Sequence, residues 1–89
     1  MDRIEQICIE KGLRMTGQRR VITRVMSESV DHPDVEEIHR RAAAIDPRIS
    51  VATVYRTMRL LEDYEVVQRH DFQDGQNRAR YEEIGRAHV

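Results

Sequence analysis

Aromatic side chains are scarce in this sequence: three Tyr, one Phe and no Trp. A core built without them must come from aliphatic residues, and 89 residues suffice for one modest domain but not for two. The single cysteine, Cys8, excludes an intrachain disulfide and any multi-cysteine zinc site within these residues. No apolar run approaches the roughly 18 residues of a membrane span, and the N-terminal Met-Asp-Arg-Ile-Glu-Gln lacks the apolar core of a secretory signal. A soluble, cytoplasmic protein with no membrane partner is expected. Neither a nucleophile, base and orienter set nor a Gly-rich phosphate loop is recognisable, so an enzyme with a small-molecule substrate is not expected.

An excess of either charge sign is missing too, since 15 Lys and Arg stand against 16 Asp and Glu for a net charge of -1. The sum hides an uneven distribution. Lys11, Arg14, Arg19, Arg20 and Arg24 occur with no acid between them, whereas Asp31, Asp34, Glu36 and Glu37 follow as an acidic cluster. A nucleic acid needs only a local positive face, so near neutrality does not exclude one as partner.

Ile4, Ile7 and Cys8 recur at helical spacing and Gly12 stands as a terminator, which predicts a short first helix over 2–11, with Cys8 a small core hydrophobe. Thr16 is placed to cap a second helix carrying Val21, Ile22, Val25 and Met26. Gln18, Arg19 and Arg20 fall on its first turns, where exposed N–H groups and partial positive charge suit a phosphate. Asp34, with Glu37 three residues on, has the pattern of a capping box and opens a third helix with Val35, Ile38, Ala42 and Ile45 on its apolar stripe. Asp46-Pro47 ends that helix, because the residue before proline is pushed out of the α region. Ser50 then caps a fourth helix, so the third and fourth form a helix-turn-helix pair. Val66 to His70 favours a strand, Asp74-Gly75 a turn, and Ala79 to Glu82 a returning antiparallel strand that must lay Val66, Val67 or Tyr81 on the helical core. The expected fold is α+β and mainly α: a winged helix-turn-helix of four helices followed by a two-stranded wing.

Around the fourth helix, at about 100° per residue, Val51, Val54, Met58 and Leu61 share one apolar sector and face the core. Ala52, Arg56 and Arg59 point the opposite way, with Thr53 and Tyr55 on the flanks. A small residue for close approach, hydroxyls for phosphate or thymine, and Arg for guanine O6 and N7 are what a helix entering the major groove presents. A solvated amphipathic face would show the same two arginines. The convergence of a capped helix pair, a following hairpin and an upstream basic segment favours the first reading.

In order and spacing, Gly12-Leu13-Arg14-Met15-Thr16 with Arg19, Ile49-Ser50-Val51-Ala52-Thr53-Val54-Tyr55-Arg56, and Arg69-His70-Asp71-Phe72 with Asp74-Gly75 and Tyr81-Glu82 resemble the ferric uptake regulator family of metal-responsive bacterial repressors. The resemblance covers roughly Ile4 to Glu83 and is strongest in Ala-Thr-Val-Tyr-Arg. It implies a transcription regulator that binds double-stranded DNA as a homodimer, reading an A·T-rich inverted repeat. Tyr55 and Arg56 would touch bases in the major groove and Arg14 the adjacent minor groove, with Thr16, Arg19, Ser50, Ala52, Thr53 and Arg59 completing the contact set. It also implies a divalent regulatory metal, Fe(II) foremost with Zn(II) or Mn(II) as alternatives, bound between this domain and a C-terminal dimerisation domain. His32 and Glu82 match ligands from the first domain, although each also reads as an ordinary surface residue, and His39 and His70 read as surface or interface residues. Competing readings are a winged-helix protein-interaction module without DNA binding, and a peroxide or redox sensor of the same family.

Ile84-Gly85-Arg86-Ala87-His88-Val89 shows neither amphipathic pattern nor turn logic. The codons ATC GGA AGA GCA CAC GTC would encode it, a string that looks like a common short-read sequencing adapter. Residues 1–83 are therefore expected to be the winged-helix domain, 84–89 a non-native tail whose His88 is no ligand, and the dimerisation domain is expected to be absent.

Overall fold

The computed structural model describes residues 2–71 and 79–84. Four helices come first, α1 (Arg3–Glu10), α2 (Gly17–Glu28), α3 (Val35–Ile45) and α4 (Val51–Asp63), followed by strands β1 (Val67–Asp71) and β2 (Ala79–Glu83). The strands pair antiparallel with Arg69 opposite Tyr81 and Gln68 opposite Glu82. This is the winged helix-turn-helix that the periodicity predicts. The predicted Asp74-Gly75 turn lies outside the described residues.

All four helices start the same way. An extended residue accepts, through its side-chain oxygen, the N–H of the third helical residue: Asp2 from Glu5 at 2.7 Å, Thr16 from Arg19 at 3.2 Å, Asp34 from Glu37 at 2.9 Å and Ser50 from Thr53 at 3.1 Å. Each bond satisfies one of the donors that a helix start leaves open. Helices α1 and α4 also end alike. Beyond α1, Gly12 at φ 87° donates to Ile9 O and Leu13 to Cys8 O; beyond α4, Glu65 at φ 58° donates to Glu62 O and Val66 to Leu61 O. These paired 5→2 and 6→1 bonds form a Schellman motif, which calls for a left-handed residue. Glycine fills that place after α1. After α4 a glutamate takes it, with the Lys11 ammonium donating to the neighbouring Tyr64 and Glu65 carbonyls at 3.1 and 3.4 Å.

Helix α2 packs against α1 and α3, α3 against α4, and the wing closes on α2 and α4. Ile4, Ile22, Ile38, Val54, Met58 and Leu61 are fully buried where these helices meet. Val66, Val67 and Tyr81 carry the wing onto the same core. Cys8 belongs to it as well, and burial first, then the Asp2 and Glu5 charges, push its thiol up to about 11. Two expected core residues are corrected. Val51 is 41% exposed and Ile45 47% exposed, because they occupy the first and last positions of their helices, where the stripe runs past the edge of the neighbouring helix.

Among the described residues two acids are buried. Glu5 receives Arg20 Nε at 2.9 Å and Glu83 receives Arg3 Nη2 at 2.6 Å, so each is charge-paired, as a buried carboxylate must be. The first pair ties α1 to α2 and the second ties α1 to the end of β2. A third cluster holds the loop between α2 and α3. Arg41 donates to Ser29 Oγ at 2.9 Å, to both Asp31 oxygens at 3.1 and 2.8 Å, and to Glu37 at 2.7 Å.

Hydrogen bonds from Arg40 and then Arg41 hold Glu37 down to about 2 from its ordinary 4.5. A carboxyl with a folded pKa below its unfolded one stabilises the fold above about pH 4.5 and loses that contribution as pH falls toward 2. Glu37→Gln should therefore flatten the fall in melting temperature between pH 5 and 2 relative to the parent chain. Melts followed by circular dichroism check this; parallel curves would remove Glu37 from the acid response.

Candidate nucleic-acid interface and metal centre

The capped start of α2, the outer side of α4 and one face of the wing border an open groove of about 800 Å³. Thr16, Gln18 and Arg19 line it from α2's start, Thr53, Tyr55, Arg56 and Arg59 from α4, and Arg69 and Tyr81 from the wing. Of the residues expected to touch DNA, Thr16, Arg19, Thr53, Tyr55, Arg56 and Arg59 are thus brought to one concavity. Arg14, Ser50 and Ala52 are exposed but do not line it.

Local bonds fix the geometry of these side chains. Arg19 Nη1 donates to Arg14 O at 2.7 Å, so the second arginine braces the strand of chain bearing the first. Along α4 the hydroxyls of Ser50 and Thr53 lie 3.0 Å apart, and Arg56 Nη2 donates to Thr53 Oγ1 at 3.4 Å. Ser50 and Thr53 therefore serve the helix start and the guanidinium behind it.

Among the described residues some arginines are paired and others are not. Arg3, Arg20, Arg24, Arg40, Arg41 and Arg48 each sit against a carboxylate. Among the described residues Arg14, Arg19, Arg56 and Arg59 make no ion pair. Arg69 reaches only Glu62, at 3.5 Å. The near-zero net charge therefore hides a face of unpaired arginines, offset by acids elsewhere such as Glu10, Asp63 and Glu65, for which no ion pair is seen among the described residues.

Sequence reasoning missed Arg69. In an antiparallel pair, directly opposed residues share a face, so Arg69 lies on the groove side with Tyr81. The signal was the apolar Tyr81 facing inward, but the register needed to use it was not readable.

On the wing's other face, His32, Glu82 and His70 meet. Glu82 accepts from His32 Nε2 at 2.8 Å through Oε2 and from His70 Nε2 at 2.7 Å through Oε1. Those two bonds, His32's first, hold the Glu82 carboxyl below its ordinary range, leaving it ionised and acceptor-only. Tyr81 N donates to Pro33 O at 3.1 Å and fastens the His32 loop to β2. The two predicted ligands are therefore brought together from positions 50 residues apart. His70, expected as a surface or interface residue, belongs to the cluster. His39 is half-buried, its Nε2 3.0 Å from the Ile49 carbonyl of the turn before α4.

An imidazole and a carboxylate, both partly exposed, are suitable donors for Fe(II), Mn(II) or Zn(II). They are only half a site. Each imidazole takes a different oxygen of Glu82, the rings stand 6.2 Å apart at 76°, and no group of three or more His, Cys, Asp or Glu among the described residues could hold a metal ion.

The pattern of the ferric uptake regulator family matches residues 10–89. The chain belongs to that family. Its members are metal-responsive transcription regulators, not enzymes. Over 85 residues the chain is 53% identical to the ferric uptake regulation protein of Rhizobium leguminosarum bv. viciae, covering 96% of this chain and 58% of that protein. A solved zinc-bound manganese uptake regulator superposes with a TM-score of 0.89 at 49% identity, over 96% of this chain and 63% of the other. The peroxide-responsive repressor PerR of Staphylococcus aureus (strain Mu50 / ATCC 700699) is 31% identical over 80 residues, 90% of this chain and 54% of that protein. The chain thus spans less than two thirds of the length of these family members. Among its described residues no helix is long and apolar enough to cross a membrane.

Proposed function

We propose that this chain is the DNA-reading part of a metal-dependent repressor that acts as a homodimer on an A·T-rich inverted repeat. The observation that carries the reading is the uncompensated arginine face. Arg14, Arg19, Arg56 and Arg59 have no carboxylate partner among the described residues, while six arginines elsewhere do. Two capped helix starts, at Thr16 and Ser50, add N–H donors suited to phosphates. Helix α4 lies in the major groove with Ala52 allowing close approach, Tyr55 meeting a thymine methyl and Arg56 a guanine edge. Arg14 enters the neighbouring minor groove, whose potential is most negative where it is narrow. Thr53 steadies Arg56, and Arg19, Arg59 and Arg69 take phosphates.

His32 and Glu82 hold the regulatory metal together with ligands from the part of its relatives that this chain does not span, and we assign dimerisation to that same part. The metal bound there supplies positive charge and fixed coordination that favour one domain geometry. The protein couples this to DNA because the strands bearing His70 and Glu82 on one face bear Arg69 and Tyr81 on the other. Fe(II) and Mn(II) both suit the donors, and relatives are named for ferric uptake and for manganese uptake. A peroxide-sensing variant keeps the DNA role and changes only the signal, a reading that the similarity to PerR supports.

Fluorescence anisotropy of a labelled A·T-rich duplex tests the reading. Neutralising three to five phosphates should give log K falling with log salt at a slope of about -3 to -5. A winged helix built to bind protein would show no titratable affinity for the duplex.

A further inference from the structure

We infer that His70 is the positioning residue of the metal site, holding the Glu82 carboxylate so that Oε2 is presented beside His32. The inference rests on the reading of His32 and Glu82 as ligands. Strand pairing places His70 opposite Arg80, which makes it the diagonal neighbour of Glu82 on one face of the wing. From there His70 Nε2 donates to Oε1 at 2.7 Å, while His32 Nε2 lies 2.8 Å from Oε2.

Those two bonds are not equivalent. A metal between His32 and Glu82 must take the place of the proton that His32 donates. The His70 bond uses the carboxylate's other oxygen and survives that exchange. It therefore fixes the rotation of the carboxylate before and after metal binding. A ligating carboxylate is ordinarily held by such an outer hydrogen bond, and losing one costs about 10- to 100-fold in metal affinity. Each ring turns its Nε2 to its own oxygen of Glu82, and no group of three or more His, Cys, Asp or Glu among the described residues could hold a metal ion, so His70 supports the site instead of ligating in it.

Zn(II) affinity of a chimaera in which this chain replaces the matching part of the 53%-identical Rhizobium relative, whose remaining length supplies the other ligands, is read by competition with a chromophoric chelator and tests the assignment with no DNA present. His32→Ala and Glu82→Ala should abolish the site. His70→Leu should raise the Zn(II) Kd about 10- to 100-fold. His70→Gln, whose side-chain amide can still donate near the Nε2 position, should return to within about threefold of the parent, which a merely structural role would not produce. Circular dichroism confirms folding, and the Gln variant alone decides if the Leu variant is unfolded. Parent-like affinity in His70→Leu, with both ligand variants inactive, would overturn the role of His70 while leaving the ligands in place. Loss in His70→Gln equal to that in His32→Ala would make His70 a ligand and overturn the inference. Parent-like affinity in His32→Ala and Glu82→Ala would instead remove the ligand reading on which it rests.

Discussion

Ile38→Ala should destabilise the fold by about 2 to 5 kcal/mol, a large share of the roughly 5 to 15 kcal/mol that keeps a domain folded. Ile38 is fully buried on α3, the helix packed against both α2 and α4. Removing its methyl and ethyl groups loses their transfer energy and leaves a cavity that four short helices cannot easily close. At about 4 to 8 °C per kcal/mol for a domain of this size, melting should fall by on the order of 10 °C or more. Ile45, one residue type and two turns away on the same helix, is 47% exposed. Its alanine variant should stay within about 0.5 kcal/mol of the parent. Chemical denaturation of the two variants side by side separates core from edge; equal losses would contradict the burial described for α3.

Arg56→Ala should weaken operator binding by about 1 to 3 kcal/mol, roughly 5- to 150-fold, and relax selectivity at one base pair. Its side chain is exposed, pairs with no carboxylate among the described residues and touches Thr53 only through a 3.4 Å hydrogen bond, so stability should not change. Arg40, bound to Glu37 on α3, is the matched control. Its removal deletes the same charge from a neutralised region and should change duplex affinity less than about twofold, since exposed pairs carry little energy. Competition among duplexes with single base changes reads both effects. A uniform loss across all duplexes would make Arg56 a phosphate contact.

Most of the helical framework was legible because its determinants are local. Thr16, Asp34 and Ser50 each announce a helix start, and the stripes of Ile22, Val25 and Met26 or Val54, Met58 and Leu61 face inward as their spacing requires. The same reasoning failed at Val51 and Ile45, since periodicity gives direction around a helix but not where the neighbouring helix ends. It failed further where partners are distant. Nothing near Glu83 indicates that Arg3, 80 positions earlier, neutralises it. His70 and Arg69 were missed for one shared reason: their roles on opposite faces of the wing depend on strand register, which shifts every side chain when it slips by one. His32 and Glu82 came through resemblance, and the fold then placed them 2.8 Å apart.

Amide chemical-shift mapping of the 15N-labelled chain titrated with an A·T-rich operator duplex tests the central claim most directly. The account predicts perturbations concentrated at Arg14 to Arg19 and Ser50 to Arg59, with a lesser set at Arg69 and Tyr81, all fading as salt is raised. Perturbations centred on Glu36, Glu37 and the α2–α3 loop, or none on α4, would contradict it.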